Sequence, residues 1–468
     1  MQTHSSVTSG ARRLSTGGAL AMALLWTVSA APFLPLGYGS DVDAWTVSSA
    51  ARRIWSTGVY SRSRSFGFPL YELTVTPLIA LGGWIASNLL SLAAGLVLFG
   101  ALVRLGRRGW LAHPWLAIAT LMFLPIIFKN ATSTMDYVPA LALLAWAYVA
   151  WLEHRPWLCA VLVGVACGFR PTSGLFIVAP AIATFVESRR LRVPVTMCLA
   201  AAMVGVAAFW PSLRLGAFPM VRPVSVWEGI KTTLEVFGIA QTPLLAALAF
   251  HAGWRARRAA GPRAIDVFHL TNIAVFGLAY AVHAGGSEYL LPAVLSVVLF
   301  VDRHTSTRAA AAFFVVAMSY HVVAVDVQGS RGGLRPIRPV ITPGLTIQDV
   351  QDRRFKLWFR DAMAAWPGTQ PTVILERFVH PVIADPAWSY DERLNLFRHA
   401  SSQMAIAQIS LDPDEIQGWR NAGFRVVVWR EREWMYARPP ADRARPLIEF
   451  VDDLGDVLGV PRRGAPLD

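Results

Sequence analysis

Apolar runs close to the length that crosses a bilayer recur along this chain as far as residue 326, divided by short arginine clusters, and a water-soluble core cannot absorb them. They fall near residues 17–36, 86–103, 113–129, 137–152, 157–170, 172–187, 194–211, 236–252, 265–283, 288–302 and 308–326. A helix needs about 20 apolar residues to cross the hydrocarbon core, so the runs predict a polytopic α-helical membrane protein with about eleven transmembrane helices. Only 16% of the residues are charged, well short of the roughly 25% of a soluble domain. The 35 glycines and 30 prolines are spread through the apolar runs, which fits membrane helices and excludes a collagenous or disordered chain. Cys159, Cys167 and Cys198 all lie inside apolar runs, leaving no disulfide framework and no C-x-x-C metal site.

The formal charge of +13 does not indicate nucleic acid, because the arginines sit between apolar runs rather than on one polar domain. With the N-terminus inside, alternate connections carry Arg12/Arg13, Arg104/Arg107/Arg108, Arg155, Arg189/Arg190/Arg192, Arg255/Arg257/Arg258/Arg263 and Arg303/Arg308. The positive-inside rule then predicts a multi-pass protein of the plasma (inner) membrane, its N-terminus cytoplasmic and its C-terminal part extracytoplasmic. Arg12 and Arg13 ahead of an apolar core and Val28-Ser29-Ala30 resemble a secretory signal. The apolar run continues through Phe33 and Leu36, which favours an uncleaved anchor.

Residues 69–84 are apolar, yet counting them as a span would put the Arg104 cluster outside. They are expected instead as the second of two interfacial helices, after residues 43–57, in a first external loop of about residues 37–85. Val47, Ala50/Ala51 and Ile54 recur at helical spacing in the first of these. Composition turns soluble from Gln328, where a basic linker, Ser330-Arg331-Gly332-Gly333-Leu334-Arg335-Pro336, leads onward. A helix over 347–365 and strands over 372–375, 404–409 and 424–429 predict a small α/β domain. The expected division is a transmembrane domain over 1–327 and an extracytoplasmic domain over 328–468.

The residues that could carry chemistry gather in the predicted outer segments. Asp41 and Asp43 stand directly after the first run. Either could take a proton from an acceptor hydroxyl, and either could simply cap the helix that follows. Arg52, Arg53, Arg62 and Arg64 occupy an external loop where the positive-inside rule disfavours them. Guanidinium forks grip phosphate oxygens in pairs, although arginines also snorkel to ordinary anionic headgroups. Asp136, Arg170 and Glu288 are ionisable groups at outer segment ends, a position that points to function. The structural alternatives are an N-cap for Asp136, snorkelling for Arg170 and a salt bridge for Glu288. Lys129 and His283 share that side, while His269 and Asn272, inside a run, are expected to hydrogen-bond across helices. In the C-terminal part, His380 and Asp385 fall near strand ends, and Asp412, Asp414 and Glu415 read as solvated surface. No H-E-x-x-H, P-loop or G-x-S-x-G string occurs.

The first loop, with S-D-V-D-A-W, then A-R-R-I-W-S-T-G-V-Y, then F-G-F-P-L-Y-E-L, resembles the GT-C superfamily of polyprenyl-phosphate-sugar-dependent glycosyltransferases, which includes protein O-mannosyltransferases and lipid A aminoarabinose transferases. Asp41/Asp43 match the acidic motif, Gly58-Val59-Tyr60 the G-x-Y segment, and Pro69-Leu70-Tyr71 the opening of a second juxtamembrane helix. The segment from Asn130 to Asp136 is similar to the stretch bearing a second aspartate, residues 168–174 to a basic turn around Arg170, and Ser287-Glu288-Tyr289-Leu290-Leu291-Pro292 to an R-Y-L-L-P segment. Two departures stand out: the acidic pair is D-V-D rather than adjacent, and Glu288 stands where a basic residue is common.

The resemblance implies an inverting transfer of a sugar from an undecaprenyl- or decaprenyl-phosphate donor to a lipid, glycan or protein acceptor. Asp41 or Asp43 would be the base, and Arg52, Arg53, Tyr60, Tyr71, Asp136, Arg170 and Glu288 would bind the donor. No metal ligand is assigned; a divalent cation is compatible with the reaction but not required. The membrane is the partner surface, and nucleic acid is not. A secondary transporter is the rival in another class, but it calls for pseudo-repeats and mid-membrane polar groups that the sequence does not display. A non-catalytic membrane protein of envelope assembly is the third reading.

Overall fold

The structure, a computed structural model, describes residues 14–216, 226–258, 263–282, 286–328, 338–364, 370–376, 380–385, 387–391, 393–400, 403–408, 412–429 and 445–451. The linker after Gln328, the Arg12/Arg13 pair and His283 lie outside them. The chain divides into two compact units: Met1–Gly39 with Ala50–Gln351, and Ser40–Ser49 with Asp352–Asp468.

The first unit is helical. In chain order the helices are α1 Thr16–Ala30, α2 Val42–Thr57 (which begins in the second unit), α3 Pro69–Arg107, α4 Pro114–Phe123, α5 Pro125–Ala131, α6 Tyr137–Leu152, α7 Pro156–Phe169, α8 Val178–Ser188, α9 Arg192–Leu213, α10 Val226–Glu235, α11 Gln241–Arg258, α12 Ala264–Val282, α13 Leu291–His304 and α14 Thr307–Ser319. Five described segments are long and apolar enough to cross a membrane: Thr16–Phe33, Pro69–Arg107, Pro171–Ser188, Arg192–Leu213 and Ala264–Val282. The bent pair α4 and α5 makes a sixth, and α6, α7 and α14 are shorter apolar helices. The core of the unit packs α7 against α6 and α9, α3 against α6, and α12 against α8 and α13.

Local sequence explains where the helices break. Gly83, at φ 58° and ψ −143°, interrupts α3; only glycine tolerates that backbone cheaply, so the apolar stretch 69–82 and the span after it are distinct pieces, as their sequence suggests. Pro125 breaks the run 113–129, bending α4 against α5 by 60°. The bend frees two carbonyls, and both are recaptured: Trp26 Nε1 donates to Met122 O at 2.8 Å and His321 Nε2 lies 2.5 Å from Phe123 O. The run 172–187 opens as a 3-10 helix, Pro171–Ile177, before α8. The turn at Gly238, with φ 90°, delays α11 to Gln241. One expected span is corrected. The run 308–326 stops being helical at Ser319, and its alternating valines instead form β1, Val323–Gln328, antiparallel to β2, Arg338–Pro343.

The second unit is a small α/β layer. After α15, Leu345–Ala364, which begins in the first unit, come β3 Thr372–Glu376, α16 His380–Ile383, β4 Trp388–Asp391, β5 Leu396–His399, β6 Met404–Gln408, α17 Pro413–Asn421, β7 Arg425–Trp429 and β8 Glu449–Val451. The sheet order is β4-β5-β6-β3-β7-β8, with β3 parallel to β6 and β7, and β4 and β5 antiparallel at one edge. The period of two sorts the core. Val373, Leu375, Ala405 and Ala407 meet Ile416 and Trp419 of α17 on one face, while Ile374, Met404 and Ile406 meet Phe359 and Met363 of α15 on the other. Strands β3, β6 and β7 match those expected from sequence; β4, β5 and β8 are short and were not foreseen.

Candidate active site

A buried charged cluster of the first unit forms around Asp136, just before α6. Its carboxylate is fully buried and shared between two arginines: Arg64 Nη2 lies 2.5 Å from Oδ1 and Arg170 Nη1 2.6 Å from Oδ2. Asp136 occupies the N-cap position of α6 yet makes no side-chain cap bond, so its carboxylate serves the arginines and not the helix end. Burial alone would push this carboxyl up; the charges of Arg64 and Arg170 outweigh it and hold the group below its ordinary range. The turn that carries Asp136 is fixed by buried Asn88 of α3. Asn88 accepts from Thr134 Oγ1 at 2.9 Å and donates to the carbonyls of Leu34 and Gly37.

Arg170 ends α7 in extended backbone. Its guanidinium carbon lies 3.9 Å from the ring centroid of Tyr137 and 4.0 Å from that of Tyr289, two cation–π contacts that are strong where water is excluded. With Nη1 on Asp136, Nε and Nη2 are buried and without a hydrogen-bond partner among the described residues. Buried donors of this kind are rare in folded proteins and mark a place where a ligand or water is expected. Arg64 caps the cluster from the other side, 3.6 Å from the Phe68 ring centroid.

The loop over 58–68 is wound on Glu72, in the first turn of α3. This fully buried carboxylate accepts from Tyr60 Oη at 2.5 Å, Ser63 N at 2.7 Å, Phe68 N at 2.9 Å and also Ser63 Oγ. Burial and the Glu72 charge push the Tyr60 phenol well up, so it stays protonated as a donor. Arg62, on the same loop, bonds Ser212 Oγ at 3.0 Å and the carbonyls of Ser212 and Gly216. Arg53, Thr57, Val59, Tyr60, Ser61, Arg62 and Leu215 line a cleft of about 410 Å³. Arg53 is exposed there and Arg52 half-buried, and neither has an acidic partner among the described residues. Glu288 pairs with Lys129 at 2.9 Å; burial raises its carboxyl, but Lys129 brings it net below the usual range.

Asp41 and Asp43 belong to the second unit. Asp41 Oδ1 accepts the Asp43 amide at 3.0 Å, the capping bond of a helix start. Lys356 of α15 donates to the Ser40 carbonyl.

The sequence-named residues thus separate into groups. Asp136 and Arg170 are joined directly; Tyr60 is bound to Glu72, Glu288 to Lys129, and Tyr71 is buried with its ring 6.4 Å from Phe169. His269 and Asn272 bond across helices as expected, to Tyr148 Oη and to Ser296 Oγ and Pro292 O. Sequence reasoning missed Glu72, although a lone carboxylate opening an apolar helix is a usable signal. It also missed Tyr137 and Tyr289 as the aromatic walls of Arg170, which no local pattern foretells. Among the described residues no group of three His, Cys, Asp or Glu side chains is placed to hold a metal ion.

No protein-family model and no curated protein matches the chain. Among solved structures it is similar to ArnT from Cupriavidus metallidurans bound to undecaprenyl phosphate, at 16% identity and TM-score 0.45, over 64% of this chain and 62% of that one. The apo state of the same ArnT gives 16% identity and TM-score 0.44 over 63% and 60%. The chain matches less than two thirds of the length of ArnT.

Proposed function

We propose that the chain is an integral membrane glycosyltransferase that moves a sugar from a polyprenyl-phosphate donor to an extracytoplasmic acceptor. One observation carries this reading: a buried arginine, walled by Tyr137 and Tyr289 and held on one edge by Asp136, keeps its Nε and Nη2 donors unmatched. A phosphate oxygen pair is the ligand that such a fork fits. The Arg53 and Arg62 cleft, with the hydroxyls of Thr57, Tyr60 and Ser61, suits the polar part of the donor. Arg52, Tyr71 and Glu288 complete the proposed donor site as its walls and neighbouring charges.

In the reaction, the acceptor hydroxyl oxygen bonds the anomeric carbon while its proton passes to a carboxylate. The bond from that carbon to the lipid phosphate breaks, and its electron pair leaves with the phosphate, whose charge Arg170 stabilises. Because Asp41 caps α2, Asp43 is the better base. The wider reading keeps a polytopic helical membrane domain over 1–327, with residues 43–57 and 69–84 as interfacial helices, and an extracytoplasmic α/β domain over 328–468. It places the protein in the plasma membrane with its N-terminus inside.

The test is direct. The purified chain in nanodiscs is incubated with labelled polyprenyl-phosphate sugars and an envelope extract, and sugar transfer and release of polyprenyl phosphate are measured. The reading requires release that Asp43→Asn abolishes; absence of both binding and release across hexosyl and pentosyl donors would sink it.

A further inference from the structure

Two ion pairs of the first unit meet at Arg170. Arg170 and Arg64 share the buried Asp136 carboxylate. The 3-10 turn Ser287–Leu290 brings the second pair: Glu288 Oε1 lies 2.9 Å from Lys129 Nζ, and the next residue, Tyr289, sets its ring against the Arg170 guanidinium. Lys129 stands near the end of α5, where its carbonyl accepts from Thr132 Oγ1 and Ser133 Oγ, in the turn that leads to Asp136. Three cations, Arg64, Lys129 and Arg170, thus stand with two carboxylates, and the sum is one positive charge. Of the other charged groups nearby, Arg62 and Glu72 carry one charge of each sign, and half-buried Glu235 of α10 acts on Tyr280 of α12. The free edge of Arg170, its Nε and Nη2, belongs to this cluster and is buried without a partner among the described residues.

A buried site with one positive charge is matched by an anion of one charge. Doubling the charge of the anion doubles its attraction to the site but raises its desolvation cost about fourfold, and the complex is left with an unbalanced negative charge. The proposed transfer changes this very quantity. Its donor is a phosphodiester with one negative charge; the electron pair of the broken bond leaves the lipid a phosphomonoester, which carries nearly two charges above its second pKa of about 6. We propose that the Lys129–Glu288 pair is a specificity determinant of the Arg170 site, Glu288 cancelling Lys129 so that the site holds a phosphodiester monoanion and sheds the phosphomonoester dianion. This selectivity rests on the lipid-phosphate reading of the Arg170 fork and gives the transfer a direction, since the substrate fits and the product does not. Burial raises both carboxyls, but the arginines at Asp136 and Lys129 at Glu288 bring them net below the ordinary range. The cluster therefore keeps its charge from about pH 8 down to about pH 5.

The experiment compares polyprenyl monophosphate with its methyl diester, lipids that differ by one methyl group and one charge, for binding to the full chain in phosphatidylcholine nanodiscs. At about pH 8 the parent should prefer the diester on the order of tenfold, and at about pH 5, where the monoester carries one charge, the preference should vanish. Glu288→Gln raises the cluster to two positive charges and should erase or reverse the preference at the higher pH. Lys129→Gln leaves the cluster neutral and should widen it. Changing both residues to glutamine keeps the charge of the parent and should restore its preference, whereas loss of a merely structural bridge would not be repaired in this way. If Glu288→Gln does not fold, Lys129→Gln and the double variant decide by the same ratio. Equal affinities in the parent at the higher pH, or a parental ratio in Glu288→Gln, overturn the proposal and leave the donor site standing. A parent that binds neither lipid overturns the lipid-phosphate reading itself, and the selectivity with it.

Discussion

Arg170 and Asp136 meet edge to edge at 2.6 Å, and Arg64 takes the other oxygen of the same carboxylate at 2.5 Å. Two arginines on one buried carboxylate leave a net positive charge, which is unstable by itself and receptive to an anion. Breaking a buried pair strands a charge, at about 3–5 kcal/mol. Asp136→Asn should therefore lower thermal stability severely in detergent or nanodiscs. Adding Arg170→Gln should cost less than the sum of the two single changes, since they share one contact. An Asp136→Asn protein that melts like the parent would contradict the pairing.

The same cluster sets a pH dependence. The Asp136 carboxyl is held below its ordinary range in the folded chain, so its stabilisation is full above the unfolded value and is lost as pH falls through the folded one. Melting temperature should stay level from neutral pH to the ordinary carboxylate value, about 4, and the cluster's share should disappear only below it. In Asp136→Asn that acid-dependent share should be absent.

Glu72 gathers four donors from Tyr60, Ser63 and Phe68. Glutamine keeps the shape but brings donors of its own among them, so Glu72→Gln should cost about 1–3 kcal/mol. Amide hydrogen exchange should rise at Ser63 and Phe68 before it rises in α6 or α7. Unaltered protection at both amides would mean that the loop is fixed by other contacts.

Much of this was legible because membrane helices announce themselves by composition. Runs such as 137–152 and 194–211 became α6 and α9 almost residue for residue, and the strands β3, β6 and β7 followed from β-branched patterning. The run 308–326 is helical only as far as Ser319, because apolar content alone does not separate a span from a helix followed by a strand; the alternation in Val323–Gln328 carried the missing information. At the candidate site, Asp136 and Arg170 could be named from their place at segment ends. Their pairing spans 34 residues, and the one between Arg64 and Asp136 spans 72, so no sequence period links them. The two tyrosines beside Arg170 were hidden for the same reason, their role being tertiary, whereas Glu72, a lone carboxylate opening an apolar helix, left a signal that was passed over.

The choice between Asp41 and Asp43 can be tested by shape. Asn caps a helix about as well as Asp, whereas alanine costs about 1 kcal/mol. Asp41→Asn should therefore leave both stability and transfer near the parent, and Asp41→Ala should lower stability alone. Asp43→Asn should abolish transfer with insertion and melting unchanged. Loss of transfer in Asp41→Asn with full activity in Asp43→Asn would reverse the assignment.

The most direct measurement of the central claim is the affinity of polyprenyl phosphate for the chain in nanodiscs, compared between the parent and Arg170→Lys, with Arg52→Lys and Arg62→Lys alongside. Lysine keeps the charge but loses the planar fork that can hold Asp136 on one edge and a phosphate on the other. The account predicts saturable binding by the parent and a loss of about tenfold or more in Arg170→Lys, with smaller losses at Arg52 and Arg62. A folded Arg170→Lys variant that binds like the parent, or a parent that does not bind at all, would contradict it.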